Sequence, residues 1–409
     1  MAGGTDGEGL SPATRLVGAG RRADWTGTPA QPGAVVSPPV WRASTHLYPD
    51  SAALHAGRPN EDGQFFYGRR GAPTQWALAD ALTALEPGAE GTVLYPSGVA
   101  ALAGALLSVL RPGDTLLMTD NAYEPTRSMG TGLLRDFGVE TRWFDPMAPD
   151  SLSAAIDESC KAVLLESPGS LTMEVCDLPA LCAIARHKGL AVVVDNTWAG
   201  PLGFPALLRG ADITVMSLTK HVGGHSDVMM GSAAAGKQHY ARLRRTAQAL
   251  GQVVSPDDAA LALRGLRTMG IRLNQESSSA LELAEWLASR SEVARVLCPM
   301  LPGSPGHEFW RRDFTGGCGL FSVVFKGKSG AERDAFIDAL KLFGIGYSWG
   351  GFESLITPID PANLRSATAW PLPDMAAEDR FGVRLSIGLE APNDLKTDLE
   401  RGLAAWNAA

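Results

Sequence analysis

The sequence predicts an α/β protein whose large domain holds a mostly parallel sheet and whose smaller C-terminal domain is α+β. Short apolar runs alternate with stretches of helical periodicity, several runs are continuous and β-branched, and the pattern changes after about residue 255. Continuous β-branched runs are typical of strands buried on both faces, as in a parallel sheet covered by helices.

The elements of the large domain follow from periodicity and from the residues that end each run. A helix over 74–85 carries apolar residues at helical spacing and ends at Glu86-Pro87-Gly88. The other helices are expected at 100–110, which Arg111-Pro112-Gly113 closes, and at 178–188, which Gly189 ends. The strands are expected at 92–95, 115–118, 162–165, 190–194 and 213–216.

The remaining segments differ in character. Residues 1–40 are rich in Gly, Ala and Pro and are expected to form a frayed tail and an arm. In the C-terminal part we expect helices at 257–269, 273–289 and 331–342 and strands at 320–325 and 383–387. The predicted domains are therefore an N-terminal arm with a contacting loop (1–70), the large domain (71–266) and the C-terminal α+β domain (267–409).

Composition excludes several classes of function. Lysine and arginine number 36 against 44 aspartates and glutamates, a formal charge of −8 with no basic block, which argues against nucleic-acid binding. The N-terminus lacks a basic and apolar leader, and apolar runs near ten residues are too short to cross a bilayer. We therefore expect no membrane partner.

The five cysteines are odd in number, irregularly spaced and form no C-x-x-C. This favours a reducing cytoplasm over a disulfide framework or a thiolate zinc site. His221 and His225 have the spacing of a helical zinc pair, but Gly223-Gly224 lies between them and no third ligand is evident, so no metal is expected.

Polar residues follow three of the predicted strands, where ligands bind in open α/β sheets. Asp195 ends one strand, Lys220 follows another 25 residues later, and Ser97-Gly98-Val99 opens a helix, where free N–H groups can hold an anion. A lysine can form a Schiff base with an aldehyde, and an aspartate can keep a pyridine nitrogen protonated. A single such aspartate is usually a turn residue and a single lysine a surface charge. The combination indicates pyridoxal phosphate.

Longer stretches resemble the cysteine/methionine-metabolism family of pyridoxal-phosphate enzymes. They are Asp195-Asn196-Thr197-Trp198, residues 219–227 from Thr219 through Lys220 to Asp227, and the loop 66–71. Residues 302–310 and 347–355 are similar to the cystathionine β-lyase branch. The similarity runs from about Thr14 to the C-terminus and implies the fold type I, transferase-like architecture of that family.

The resemblance implies a role for each matching residue. Lys220 would be the Schiff-base lysine and proton shuttle, Asp195 would pair with the pyridine nitrogen, and Tyr123 would stack on the cofactor ring and belong to the catalytic set. The phosphate would be held by Gly98, Val99, Ser217, Thr219 and, from a neighbouring subunit, Arg69, with the catalytic residue Tyr67 beside it. Arg384 would clamp the substrate α-carboxylate, with Ser348 and Trp349 lining the same pocket.

The sequence departs from the family pattern at a few residues. His221 replaces a tyrosine, Ala72 a threonine, Gln75 a histidine and Ser97 a cysteine. These departures bear on substrate preference rather than on the cofactor.

The resemblance further implies α,β-elimination on L-cystathionine to homocysteine, pyruvate and ammonia, in a homotetramer of two active-site-sharing dimers. Three alternatives stay open: a cysteine desulfhydrase or cysteine-S-conjugate lyase, a γ-lyase or γ-synthase sibling, and a cofactor-binding protein without catalysis.

Overall fold

A computed structural model describes residues 10–28, 30–57, 63–327, 329–372 and 374–409. Residues 1–9 and 58–62 of the predicted N-terminal arm lie outside the described residues. The chain divides into two compact units. The first unit comprises Met1–Ser108, Pro205–Leu208 and Asp212–Gly270, and the second comprises Val109–Phe204, Arg209–Ala211 and Ile271–Ala409. The predicted domain boundaries after residues 70 and 266 stay predictions.

Twelve strands lie within the described residues and form two sheets, in the orders β1-β7-β6-β5-β4-β2-β3 and β10-β11-β12-β9-β8. The strands of the larger sheet are β1 (Gly91–Tyr95), β2 (Thr115–Thr119), β3 (Glu140–Phe144), β4 (Cys160–Glu166), β5 (Ala191–Asp195), β6 (Ile213–Ser217) and β7 (Gly231–Ala235). Those of the smaller sheet are β8 (Val293–Leu297), β9 (Leu320–Phe325), β10 (Gly344–Ile345), β11 (Leu355–Ile359) and β12 (Gly382–Ser386).

Strand direction differs between the two units. In the first unit β7 runs antiparallel to both β1 and β6, so β1 and β6 point the same way. In the second unit β2 is parallel to β3 and β4, and β4 is parallel to β5. The expected α/β architecture with a mostly parallel sheet is confirmed, with β7 as its antiparallel member.

The helices of the described residues are α1 (Pro12–Gly18), α2 (Ala23–Thr26), α3 (Ser51–Ala56), α4 (Pro73–Leu85), α5 (Gly98–Val109), α6 (Glu124–Met129), α7 (Pro149–Ala155), α8 (Leu178–His187), α9 (Gly200–Gly203), α10 (Lys237–Ala249), α11 (Pro256–Ala288), α12 (His307–Asp313), α13 (Gly330–Asp338) and α14 (Pro392–Ala408). Local chemistry explains several ends. The Asp177 side chain caps α8 by accepting from Ala180 N at 3.1 Å, and Ser329 with Glu332 forms a capping box at α13.

Two expectations about helices were wrong. The helices predicted at 257–269 and 273–289 form one continuous helix, α11. Gly270 lies inside α11 and does not end it. An interior glycine costs only about 1 kcal/mol relative to alanine, and packing of the helix offsets that cost. Residues 12–18 and 23–26 are also helical, although they fall in the predicted tail and arm.

The core of the smaller sheet lies between its strands and α13 and α14. Phe325 stacks on Trp406 with ring centroids 4.6 Å apart, and Phe336 packs on Phe325 at 4.9 Å. These rings join a buried cluster that includes Phe321 and Val383. Because β12 is part of this cluster, its side chains have a rigid support.

The five cysteines are all buried free thiols of the second unit. Burial raises the pKa of Cys176 and of Cys298 to about 12 and raises that of Cys318 well above the usual range of a thiol. Across the described ranges, no helix combines the length and apolar character needed to cross a bilayer.

Candidate active site

Two strand ends and one helix start meet at one edge of the first unit. Tyr95 at the end of β1 and Ser217 at the end of β6 are both in register with Gly231 of β7, so the two ends are level. After β1, the Ser97 hydroxyl accepts from Ala100 N at 3.1 Å and caps α5.

Two glycines allow a close approach at this edge. A Cβ added to Gly98 would lie 2.9 Å from Ser217 Cβ and 3.0 Å from its Oγ, and one added to Gly231 would lie 2.3 Å from the Ser97 carbonyl oxygen. The start of α5 therefore rests directly on the end of β6. The N–H groups of Gly98 and Val99 belong to the first turn, where no intrahelical acceptor is available. Such N–H groups suit an anion, and the Ser217 hydroxyl lies beside them.

Lys220 follows β6 in a tight turn of the first unit. Its N–H donates to the Ser217 carbonyl at 3.3 Å, and its own carbonyl accepts from Gly224 N at 2.8 Å. Gly265 of α11 packs against this turn, since an added Cβ would lie 2.2 Å from the carbonyl oxygens of residues 222 and 223. The backbone that carries Lys220 is thus held from both sides.

Thr219 fastens the same turn to the start of β7. Its hydroxyl donates to the Met230 carbonyl at 3.2 Å and accepts from Met230 N at 3.1 Å. Its donation to a phosphate stays a prediction, because this hydroxyl already donates within the chain.

The loop with Tyr67 and Arg69 borders a cationic pocket in the first unit. Tyr67 is 46% exposed, and Arg69 Nη1 donates to the Gln248 carbonyl at 3.1 Å. The pocket has a volume of about 110 Å³, and Arg69, Arg70 and Arg244 line it. Burial, and then the charges of Arg69 and Arg244, lower the pKa of Arg70. Three guanidinium groups at one pocket favour an anionic occupant.

In the second unit, Asp195, Glu166 and Tyr123 lie at the ends of neighbouring strands. Glu166 of β4 is in register with Asp195 of β5, and Glu166 Oε2 accepts from Tyr123 N at 2.7 Å. Asp195 Oδ1 accepts from Thr197 N at 3.0 Å and from its hydroxyl at 2.6 Å. Burial, followed by the charge of Asp195, raises the pKa of Glu166 well above its usual range.

Tyr123 and Arg384 interact electrostatically in the same unit. Tyr123 is 40% exposed; partial burial of its hydroxyl raises its pKa, and the nearby guanidinium of Arg384 opposes that rise. Burial lowers the pKa of Arg384, opposed by Tyr123 and Tyr347. The structure therefore brings together Tyr123, Asp195 and Arg384 within the second unit.

Arg384 lies in the middle of β12 and donates from Nη2 to the Ser348 carbonyl at 3.3 Å. No carboxylate among the described residues forms an ion pair with it. Ser348 has a φ of +86°, a left-handed conformation that costs a non-glycine residue free energy. Gly350 N donates to the Ser386 hydroxyl at 3.3 Å, which ties the loop of Ser348 and Trp349 to β12.

Within the first unit, the helix start at Gly98 suits a phosphate and Lys220 can react with an aldehyde. Within the second unit, the Asp195 carboxylate suits a protonated ring nitrogen, and Tyr123 presents an aromatic ring. No cluster of three or more metal-binding side chains occurs in the described part of the chain. His225 Nδ1 instead lies 2.8 Å from the Gly223 carbonyl, in a turn rather than a helix.

Sequence reasoning missed several residues at these edges. Glu166 directly follows the predicted strand 162–165, so the rule that ligands bind at strand ends applies to it as well. Asp120 likewise follows β2, and its carboxylate is 1% exposed. The sequence indicates only that Arg70 belongs to a loop, and no sequence signal links Arg244 to it.

Comparison with known proteins gives a consistent picture. A model of the family described as Cys/Met metabolism PLP-dependent enzyme matches residues 13–404. Cystathionine beta-lyase of Escherichia coli (strain K12) is 44% identical over 395 residues, covering 96% of this chain and 98% of the relative. Cystathionine beta-lyase of Salmonella typhimurium is 42% identical over 398 residues, with the same coverage. A solved structure of cystathionine gamma synthase from Xanthomonas oryzae pv. oryzae, in complex with cystathionine, matches with a TM-score of 0.86 and 35% identity over 98% of this chain and 99% of that one.

Proposed function

The chain belongs to the Cys/Met metabolism PLP-dependent enzyme family, and from that membership we propose that it is a carbon–sulfur β-lyase acting on L-cystathionine. The reaction consumes one water and yields homocysteine, pyruvate and ammonia. Two relatives named cystathionine beta-lyase match nearly the whole chain at 42% and 44% identity, which supports this substrate.

One observation carries the proposal: the start of α5 rests on the end of β6 at the contact between Gly98 and Ser217. This contact directs the free N–H groups of Gly98 and Val99 to the strand edge that Lys220 follows. In our assignment these N–H groups and the Ser217 hydroxyl bind the phosphate, and Lys220 binds the aldehyde.

When bound, pyridoxal phosphate supplies an electron sink for negative charge that develops on the substrate Cα. In our assignment Asp195 holds the proton on the ring nitrogen, and Thr197 keeps the Asp195 carboxylate oriented through its two hydrogen bonds. Lys220 Nζ removes the Cα proton and delivers a proton to the departing sulfur. Such acid–base catalysis is worth about 10²–10⁴-fold in rate.

Arg384 is assigned to the substrate α-carboxylate. Its guanidinium is partly buried and donates one hydrogen bond to the Ser348 backbone carbonyl, so donors remain for a carboxylate. A planar guanidinium binds a carboxylate through two parallel hydrogen bonds and thereby orients Cα toward the general base. Ser348 and Trp349 are assigned to the wall of the same pocket, and Tyr123 to the face of the cofactor ring.

Product identification from L-cystathionine, with the protein saturated in pyridoxal phosphate, tests the reaction. Pyruvate with homocysteine supports β-cleavage. The second candidate, γ-cleavage, would give 2-oxobutyrate with cysteine, and the likeness to a cystathionine gamma synthase bound to cystathionine favours testing it. Sulfide from cysteine in preference to cystathionine would indicate a desulfhydrase. Cofactor binding without any turnover would indicate a binding protein.

Replacement of the lysine tests the central assignment. Lys220→Ala is expected to lose the visible absorbance of the lysine-bound cofactor and the lyase activity together. Lys237→Ala removes an exposed lysine of the same unit and is the matched control. Lys220→Ala protein that keeps both signals would refute the assignment.

We propose that the active form is a homotetramer built from dimers that share their active sites. Tyr67 and Arg69 lie in an exposed loop, and the arm before it exposes large apolar side chains that an interface could cover. Those side chains are Val35, Val36, Val40, Trp41 and Leu47. If the sites are shared, mixing inactive Lys220→Ala with inactive Arg69→Ala protein restores activity, because hybrid dimers regain one intact site. Mixtures that stay inactive after subunit exchange, or a fully active monomer, would refute sharing.

The five buried free thiols support a reducing compartment, and we propose the cytoplasm. Localisation of the tagged full-length protein tests this.

A further inference from the structure

The Asp120 carboxylate at the end of β2 receives an unusually dense set of hydrogen bonds. Three consecutive backbone N–H groups and two hydroxyls of Ser366, Ala367 and Thr368 donate to it at 2.7–3.1 Å. Arg127 Nη1 adds an ion pair at 3.0 Å. Burial opposes ionisation of this carboxyl, but the hydrogen bonds from residues 366–368 prevail and lower its pKa to about 2. The Asp120 carboxylate is therefore ionised at neutral pH and can accept all of these hydrogen bonds.

The same contact involves both sides of the turn that carries Tyr123. Asp120 precedes Tyr123 by three residues, and Arg127 follows it by four on α6, whose first turn closes on the Tyr123 carbonyl. Arg127 Nη1 also donates to the Asp120 carbonyl at 2.7 Å, and its Nη2 donates to the Ser366 hydroxyl at 3.0 Å. Its guanidinium lies 3.9 Å from the centroid of the Trp143 ring. The turn and residues 366–368 are thus one hydrogen-bonded assembly.

A buried ion pair holds the adjacent residue. Arg365 Nη2 lies 2.7 Å from Glu174 Oε1, with side chains 5% and 7% exposed, and it also donates to the Thr172 hydroxyl. Residues 365–368, which we call the anchored segment, are therefore attached to the loops after β2 and β4. The connection to which they belong joins β11 to β12, the strand of Arg384.

We propose that Asp120 is a positioning residue. It holds the anchored segment against the turn that carries Tyr123, and it thereby fixes the position of Tyr123 relative to Arg384 during turnover. This rests on the proposed function, because it takes Tyr123 and Arg384 to face one substrate. Their mutual electrostatic interaction places them close together in the second unit. A misplacement of about 1 Å can cost on the order of 100-fold in rate, so loss of the carboxylate is expected to lower kcat/KM by about that factor.

Two variants separate this role from a general loss of stability. Asp120→Ala removes every acceptor, whereas Asp120→Asn keeps the shape and one acceptor oxygen. We expect kcat/KM to fall about 100-fold in the first and less in the second, with kcat and KM both changed. Hydrogen exchange of the peptide covering 364–372 is expected to accelerate about tenfold or more in cofactor-free and cofactor-bound protein alike.

Asp398 supplies the matched control. It is also 1% exposed, accepts from the N–H groups of Lys341 and Leu342 at 2.8–3.0 Å and pairs with Arg401. Asp398→Asn is expected to lower the unfolding free energy, yet to leave kcat/KM per folded molecule within about twofold of wild type, because it holds no assigned site residue.

The outcomes are distinguishable. Asp120→Ala protein that exchanges faster at 364–372 but keeps wild-type kcat/KM would overturn the proposal, as would equal kinetic losses in the Asp398 control. If Asp120→Ala does not fold, Ser366→Ala can replace it, because this variant removes the hydroxyl that donates to Asp120. Faster exchange at 364–372 with unchanged kcat/KM in Ser366→Ala would also overturn the proposal. Wild-type protein that forms no keto acid would instead refute the proposed function, whereas the exchange result stands independently of it.

Discussion

Replacing Gly98 by alanine perturbs the contact on which the cofactor assignment depends. The added Cβ would lie 2.9, 3.0 and 3.3 Å from Ser217 Cβ, Oγ and Cα, whereas carbon atoms prefer 3.5–4.0 Å. Gly98 does not have a left-handed φ, so the substitution changes only the occupied space. Intrinsic helix propensity favours alanine by about 1 kcal/mol, so any loss must come from this clash.

The expected magnitude follows from two effects. Overpacking of this kind costs about 1–3 kcal/mol of stability. Relief of the clash needs a shift of roughly 0.5–1 Å at the start of α5, which lengthens the hydrogen bond from an N–H group to the phosphate. A hydrogen bond to a charged group is worth about 1.5–3 kcal/mol, and 1.4 kcal/mol corresponds to tenfold in affinity. The Kd for pyridoxal phosphate should therefore rise about 10- to 100-fold.

The assay is titration of cofactor-free protein with pyridoxal phosphate, alongside urea unfolding. Gly18→Ala is the control, since Gly18 is helical, lies in the same unit and has no atom within 4 Å of an added Cβ. In a Ser217→Gly background the Cβ and Oγ contacts disappear, so Gly98→Ala should cost less stability there than alone.

Two results would refute the reasoning in different ways. A Gly98→Ala protein with wild-type stability would show that the contact is not tight. Lower stability with an unchanged Kd would uphold the packing argument but remove the phosphate from the start of α5.

Three further predictions each concern one ionisable side chain. Arg384→Lys keeps the charge but loses the bidentate contact with the substrate carboxylate, so kcat/KM for cystathionine should fall about 10- to 100-fold, mainly through a higher KM. A change below threefold would contradict the assignment. Burial raises the pKa of Glu86 to about 7 from an ordinary 4.5. Between these two pH values the folded protein keeps a proton that the unfolded chain releases, so a rise in pH destabilises the fold. The unfolding free energy of wild type should therefore fall by about 3 kcal/mol between pH 4.5 and 7, relative to that of Glu86→Gln. Parallel urea curves at each pH test this, and a pH-independent difference would contradict it. Burial also favours a neutral Glu166, so Glu166→Gln should keep kcat/KM within a few-fold of wild type. Glu166→Ala loses the acceptor for Tyr123 N, and its kcat/KM should fall about tenfold. Equal losses in the two variants would indicate an ionised Glu166.

Strands were predictable from sequence where burial selects large β-branched side chains. The sequences of β5, β6 and β9 are apolar runs that predict strands, and the structure has strands at these positions. β7 was missed because its sequence, Gly-Ser-Ala-Ala-Ala, has little strand propensity. Space explains the glycine at its start, because the Ser97 carbonyl approaches Gly231 more closely than any Cβ would allow.

The candidate site was predictable to the extent that it depends on strand ends. Asp195 and Lys220 follow apolar strands, and the direction of the chain places such residues at the ligand edge. Glu166 and Asp120 obey the same rule at β4 and β2 but were not singled out. The contact between Asp120 and residue 366 spans 246 positions of sequence, so no local pattern encodes it.

The distribution of cysteine gives this chain an internal reporter. All five thiols lie in the second unit and each is buried. Burial also raises the pKa of Cys160, Cys176, Cys298 and Cys318, which leaves little thiolate on these four at neutral pH. A thiol reagent can therefore react only after that unit opens, and its rate of modification measures opening there without any engineered label. The first unit contributes no signal, so comparing thiol modification with a global unfolding probe reveals whether the two units open together or in turn.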